Sequence, residues 1–128
     1  MPNNTYAQLF LKEIEAESVA TRRCLERIPE SAYEFKPHPK SMNMQYLVQL
    51  VAEIPNWLPE MIQQKEINFA TYVSFKTGST AELVKQYDDA IERIRRLLAD
   101  CTDDRFEGVF TLKNGEQVLY AQDLLDAV

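Results

Sequence analysis

Few residues in this chain could carry chemistry. The single histidine, His38, stands between Pro37 and Pro39 in the stretch FKPHPKSM. A histidine so placed is expected to pack a turn rather than to bind a ligand. Cys24 and Cys101 lie far apart and form no Cys-x-x-Cys pair, so neither a zinc ribbon nor a thioredoxin-type motif is predicted. Two reduced, half-buried thiols are the expectation. No GxGxxG, GxxxxGK[ST] or GxSxG motif occurs, so neither a phosphate cradle nor a nucleophile elbow is predicted. What remains is LVQLVAEIPNW, residues 47–57. It is apolar almost throughout and carries one carboxylate, Glu53, beside a proline set inside an otherwise helical pattern. This stretch is either the wall of a small-molecule site or plain core.

The elements that must position it can be read from the rest of the chain. A length of 128 residues fits one domain, 1–128, and 45% hydrophobic residues is ordinary for a globular protein. The net charge of −6 and the pI near 4.8 argue against a nucleic-acid surface, which would be basic. No apolar run approaches the ~18 residues of a membrane span. The N-terminus MPNNTYAQ shows no charged-then-apolar leader, so a cytoplasmic protein is expected.

Tyr6, Phe10, Ile14, Leu25 and Ile28 recur at helical spacing, which predicts a first helix over residues 5–28. Ala16, Ala20 and Cys24 form a small-residue strip beside them, and Pro29 ends the helix. Residues 30–42 read as an extended connector. A second helix is predicted from near Asn43, capped by Ser41 or Asn43. Its stripe is Met44, Leu47, Val48, Val51, Ile54, Leu58, Met61 and Ile62, with a kink or break forced by Pro55 and Pro59. Residues 68–78 read as an aromatic loop folded over the bundle.

Ser79 and Glu82 form a capping box for a third helix, whose buried face is Leu83, Tyr87, Ala90, Ile91, Ile94, Leu97, Leu98 and Cys101. Asp89–Arg93 and Glu92–Arg96 are expected as solvated i,i+4 pairs on the opposite face. Asn114-Gly115 predicts a hairpin with a type I′ turn between Phe110/Leu112 and Val118. Residues 118–128 scan as the opening of a fourth helix, with apolar positions at 118, 121, 124, 125 and 128. So short a helix leaves apolar faces uncovered. Either the natural chain continues past Val128 or a partner chain completes the bundle.

This order of features resembles the DinB/YfiT-like family over nearly the whole chain. The most specific part is Phe35 to Trp57, where members typically show a stretch like KP..KSM.....LA.H.AE.P.W. The resemblance implies an all-α fold: an up-down-down-up four-helix bundle with a small β-hairpin before helix 4, that helix being incomplete here. It also implies a nickel or zinc ion held by three histidines, one on the second helix and two on the fourth. Such an ion would serve a metal-dependent hydrolase or a thiol-dependent S-transferase, commonly dimeric. Carried over, the second-helix histidine falls on Leu50, which has no donor atom. Gln49 is adjacent but points about 100° away around the helix, and glutamine is a poor ligand for such a metal. The two fourth-helix histidines would lie beyond Val128.

No cofactor is therefore expected within this chain, and a divalent metal only if a longer C-terminal helix supplies histidines. The family's pocket face is occupied by Tyr46, Leu50, Ile54 and Trp57, with Glu53 at one side and expected to be solvated. Two functions remain open. One is an enzyme of the family's type with a degenerate metal site. The other is a metal-free small-molecule-binding or dimeric interaction protein on the same scaffold. A homodimer, a possible small-molecule ligand, no nucleic acid and no membrane are the expected partners.

Overall fold

A computed structural model describes residues 3–73 and 78–128. Helix α1 spans Thr5–Glu26 and helix α4 spans Thr80–Ala99. Arg22 pairs with Asp88 through two hydrogen bonds of 2.9 and 3.1 Å, and Arg95 pairs with Glu15. Rising numbers on α1 meet falling numbers on α4, so the two helices run antiparallel. These exposed ion pairs fix the register more than they stabilise it.

α4 forms where its sequence signals place it. The Ser79 hydroxyl accepts from the Glu82 backbone N–H at 3.2 Å. The Glu82 carboxylate reaches back one residue further than expected, to the Gly78 N–H at 3.0 Å. Leu83, Tyr87, Ala90, Ile91, Ile94 and Leu98 are buried, as is Cys101 just past the helix. The charged face differs in detail: Asp89 pairs with Lys85, while Arg93 donates to the Asn56 side chain, 37 residues earlier in the chain. Glu92–Arg96 forms as expected, at 3.4 Å. Residues 30–42 are tied to the start of α4. Thr80 shares a buried 2.7 Å hydrogen bond with the Tyr33 hydroxyl and lies 2.6 Å from the Ile28 carbonyl.

The predicted break of the second helix is real. α2 spans Met44–Glu53, capped by the Asn43 side chain, which accepts from the Tyr46 N–H at 2.9 Å. A 3₁₀ turn over Ile54–Asn56 carries Pro55, and α3 follows over Trp57–Gln64. The predicted apolar stripe does not stay buried across this break. Val48, Met61 and Ile62 are buried, whereas Leu47, Val51 and Ile54 are exposed. Leu47 and Val51 already face outward on α2, whose buried apolar row is Val48 and Ala52. The 3₁₀ turn, at 3.0 residues per turn rather than 3.6, then shifts the phase again from residue 54.

The all-α bundle expected from the sequence is overturned. Strand β1 (Glu66–Asn68) pairs parallel with β2 (Val109–Asn114), which pairs antiparallel with β3 (Gln117–Asp123), giving a three-stranded mixed sheet in the order β1-β2-β3. Residues 118–123, read as helix, are strand. Only Leu124–Ala127 is helical, forming the single turn α5. Most of β3 is exposed, so it lacks the in–out alternation that marks a half-buried strand, and its apolar spacing mimics a helix.

The hairpin turn also differs from the expected type I′. Asn114 pairs with Gln117, so the loop is Gly115-Glu116, and among the described residues of the turn only Gly115 has positive φ (65°). That is the sign pattern of a type II′ turn. Asn68 clamps the turn from β1: its Oδ1 accepts from the Gly115 N–H at 2.9 Å and its Nδ2 donates to the Gly115 carbonyl at 3.2 Å.

Two apolar clusters result. The larger lies between the helices and includes Leu25, Val48, Leu83, Ile94, Leu98 and Phe106. The smaller joins Met61, Ile67, Phe110 and Leu124 under the sheet, with Trp57 and Leu112 at its margin.

Candidate functional site

Tyr46, Leu50, Glu53 and Trp57 are spaced by four, three and four residues, which sets them on one side of the α2–turn–α3 segment. The structure brings all four together. With Gln49, Phe69 and Tyr72 they line a pocket of about 300 Å³. Ile54, expected on the same face, is turned away by the 3₁₀ turn. It lines a separate and more apolar cavity of about 480 Å³, between α1, α4 and the sheet. Trp57 borders both spaces.

Phe69 and Tyr72, from the segment after β1, form the wall that sequence reasoning missed. Each stands edge-on to Trp57, with ring centroids 6.4 Å apart. The aromatic character of residues 68–73 was the available signal. What it lacked was a direction, which comes from the parallel pairing of β1 with β2.

Glu53 corrects the expectation of a solvated carboxylate. Its relative exposure is 4%, and Oε1 is buried with no hydrogen-bond partner among the described residues. The Trp57 indole Nε1 is likewise buried and makes no close hydrogen bond among the described residues, with the Tyr72 phenol beside it. Buried polar groups are nearly always paired, because an unpaired one forfeits its hydration without return. Two such atoms on one pocket wall are therefore unusual. The Tyr72 phenol lies against both groups and is pushed up to about 12, first by burial, then by the negative charge of Glu53 and a hydrogen bond to its carboxylate, while a hydrogen bond with Trp57 pulls the other way.

This shift has a consequence for stability. The unfolded tyrosine ionises near pH 10, before the folded one does, so the contribution is complete below pH 10 and lost as pH rises toward 12. A full shift of that size would correspond to about 2.7 kcal/mol. Tyr72 is only partly buried, so about 1 kcal/mol is expected. Urea midpoints at pH 9 and 11.5 for the parent chain and Tyr72→Phe test this. The variant should lose less stability over that interval, and equal losses would place the phenol in solvent.

The site does not fit the metal that the family resemblance implies. Leu50 lines the pocket and brings no donor atom. His38 lies in the connector, where its Nδ1 accepts from the Lys40 N–H at 3.1 Å and Ser41 closes the turn onto its backbone. It is a turn residue, as expected. Cys24 is exposed, and burial of Cys101 raises its thiol pKa above the ordinary range. Among the described residues no three His, Cys, Asp or Glu side chains are grouped to hold a metal ion.

Leu50→His would add one imidazole three residues before Glu53, giving two donors where a protein zinc site uses three or four. Calorimetric titration of that variant with zinc or nickel should show no tight stoichiometric site. Submicromolar binding would reveal ligands that this geometry lacks.

No family model, no curated protein and no solved structure matches this chain. The reading of the pocket therefore rests on its own geometry.

Proposed function

We propose that this chain is a metal-free small-molecule-binding protein whose ligand occupies the pocket over α2. A buried Glu53 carboxylate, with Oε1 unpartnered among the described residues and the Tyr72 phenol beside it, in an aromatic-walled pocket, carries this reading. Binding pockets are mostly apolar, with a few polar groups that fix orientation, and about 300 Å³ suits a ligand of fragment size. The larger cavity beside it is more apolar in its lining, and no unpartnered buried carboxylate faces it among the described residues. From the DinB/YfiT-like resemblance this proposal retains one element, a second-helix face turned to a pocket, with leucine where the family has its metal ligand.

The test is a set of small neutral, anionic and cationic fragments followed by backbone amide chemical shifts. Saturable shifts confined to residues 46–57 and 69–72 are expected for at least one fragment. Shifts that occur only elsewhere would overturn the proposal.

A pocket built for a ligand is held at some cost to the free protein. Glu53→Gln removes the buried charge and keeps the shape. It should raise the unfolding free energy by about 1–3 kcal/mol, because an amide costs less to bury than a carboxylate even though its oxygen stays unpaired. Denaturant unfolding would measure this. A loss of more than 1 kcal/mol would show that the carboxylate has a strong internal partner.

A further inference from the structure

We propose that the pocket over α2 selects a small alkylammonium ion, held by the Glu53 carboxylate and the surrounding aromatic rings. The inference deepens the small-molecule reading above and rests on it. Three observations carry it.

The first is the orphaned acceptor. Glu53 Oε1 is buried and has no donor among the described residues, and none of the described lining residues is basic. Among the described residues no counter-ion faces this oxygen, and a ligand bearing N⁺–H would supply one. A charge-assisted hydrogen bond of this kind is stronger than one between neutral groups.

The second is the ring set. Tyr46, Trp57, Phe69 and Tyr72 supply four aromatic side chains to one small pocket. Their edge-on packing about Trp57 leaves ring faces turned in different directions. Aromatic faces attract a cation and are indifferent or unfavourable to an anion. Tyr46 and Phe69 are more than two-fifths exposed, so part of the ring wall is open to an entering ligand.

The third is the sense of the remaining charge. The chain carries a net −6, which favours approach of cations over anions. A neutral ligand would bring no positive charge to the Glu53 carboxylate. An anionic one would add repulsion to it. A bridging water between Glu53 and Trp57 is the simpler occupant of such a gap, and the experiment must separate it from an ammonium site.

Three probes with one carbon skeleton and three charges make the separation: isopentylammonium, isopentanol and isovalerate, titrated at pH 7 into the full chain. Amide shifts of residues 46–57 and 69–72, with the emission of Trp57, the chain's single tryptophan, report binding at the pocket. Isopentylammonium should bind at least ten-fold more tightly than isopentanol, and isovalerate should leave these signals unmoved. Glu53→Gln should bring the ammonium to the affinity of the alcohol.

Phe69→Leu, at a position 44% exposed and so tolerant of change, should weaken the ammonium several-fold and spare the alcohol. It keeps the test open even if the Glu53 variant folds poorly. Equal affinity for ammonium and alcohol, or tighter binding of isovalerate, would overturn the ammonium inference and leave the small-molecule reading standing. Silence from all three probes would also overturn it, and the mixed fragment set would then decide the wider reading.

Discussion

Leu98→Ala is expected to lower the unfolding free energy by about 2–5 kcal/mol. Leu98 is 2% exposed and lies in the last turn of α4, in the larger apolar cluster. Removing its three outer carbons forfeits their transfer out of water and leaves a void that close-packed neighbours fill only in part. The backbone around it is fixed by the Cys101 N–H, which donates to the Leu98 carbonyl at 3.3 Å, so collapse into the void is restrained. Urea unfolding should show a lower midpoint with an unchanged slope. Arg96→Ala, two residues earlier and 79% exposed in its side chain, is the control and should change stability by less than about 0.5 kcal/mol. If Leu98→Ala also fell within 0.5 kcal/mol, the buried face of α4 would be wrongly placed.

That face was legible because several local signals agree on it. The capping residue, the apolar spacing and the charged opposite side of residues 79–101 all specify one helix in one orientation. The extent of α1 was legible from apolar spacing and Pro29, its observed end at Glu26 falling two residues short, but its face only in part: Tyr6, Ala16, Ala20 and Cys24 are exposed, while Ala7, Ser18 and Leu25 are buried. The second helix shows the limit of periodicity. Its proline break was predicted, but the stripe was drawn as though the helix ran on through it. Val48 and Ala52 bury a narrow row on α2, and the 3₁₀ turn at residues 54–56 resets the phase before Met61 and Ile62.

The site was half legible. Helical spacing puts Tyr46, Leu50, Ile54 and Trp57 on one face with Glu53 at its side, and the family resemblance makes that face a pocket wall; Ile54 lines the other cavity instead. The burial of Glu53 was not legible, because a single carboxylate in an apolar run is solvated in most helices. Its burial depends on Phe69 and Tyr72, which reach the pocket only after the chain has left α3, turned at Lys65 in the left-handed region (φ 57°) and paired β1 beside β2. A left-handed lysine and a three-residue parallel strand carry almost no periodic signal. The contact that completes the wall is thus a tertiary one, set by a strand more than forty residues downstream of β1 in sequence.

The same dependence makes Phe110→Ala the sharpest test of the sheet. If residues 109–123 were a small hairpin appended to a helical bundle, truncating Phe110 would cost less than about 1 kcal/mol, as surface changes do. In the structure Phe110 is 6% exposed and joins Met61, Ile67 and Leu124 in the smaller cluster, linking β2 to α3, β1 and α5. A cluster with four buried members has little capacity to repack, so a loss of about 3–5 kcal/mol is expected. Phe110 does not line the pocket over α2, but Ile67 beneath it anchors β1, from which Phe69 and Tyr72 depart. The emission of Trp57 should therefore respond to the substitution even where the helices stay folded by circular dichroism. A stability loss without any change at Trp57 would mean that the aromatic wall is held independently of the sheet. A loss of both would show that Trp57, at the margin of the Phe110 cluster, is held by the sheet absent from the helical expectation.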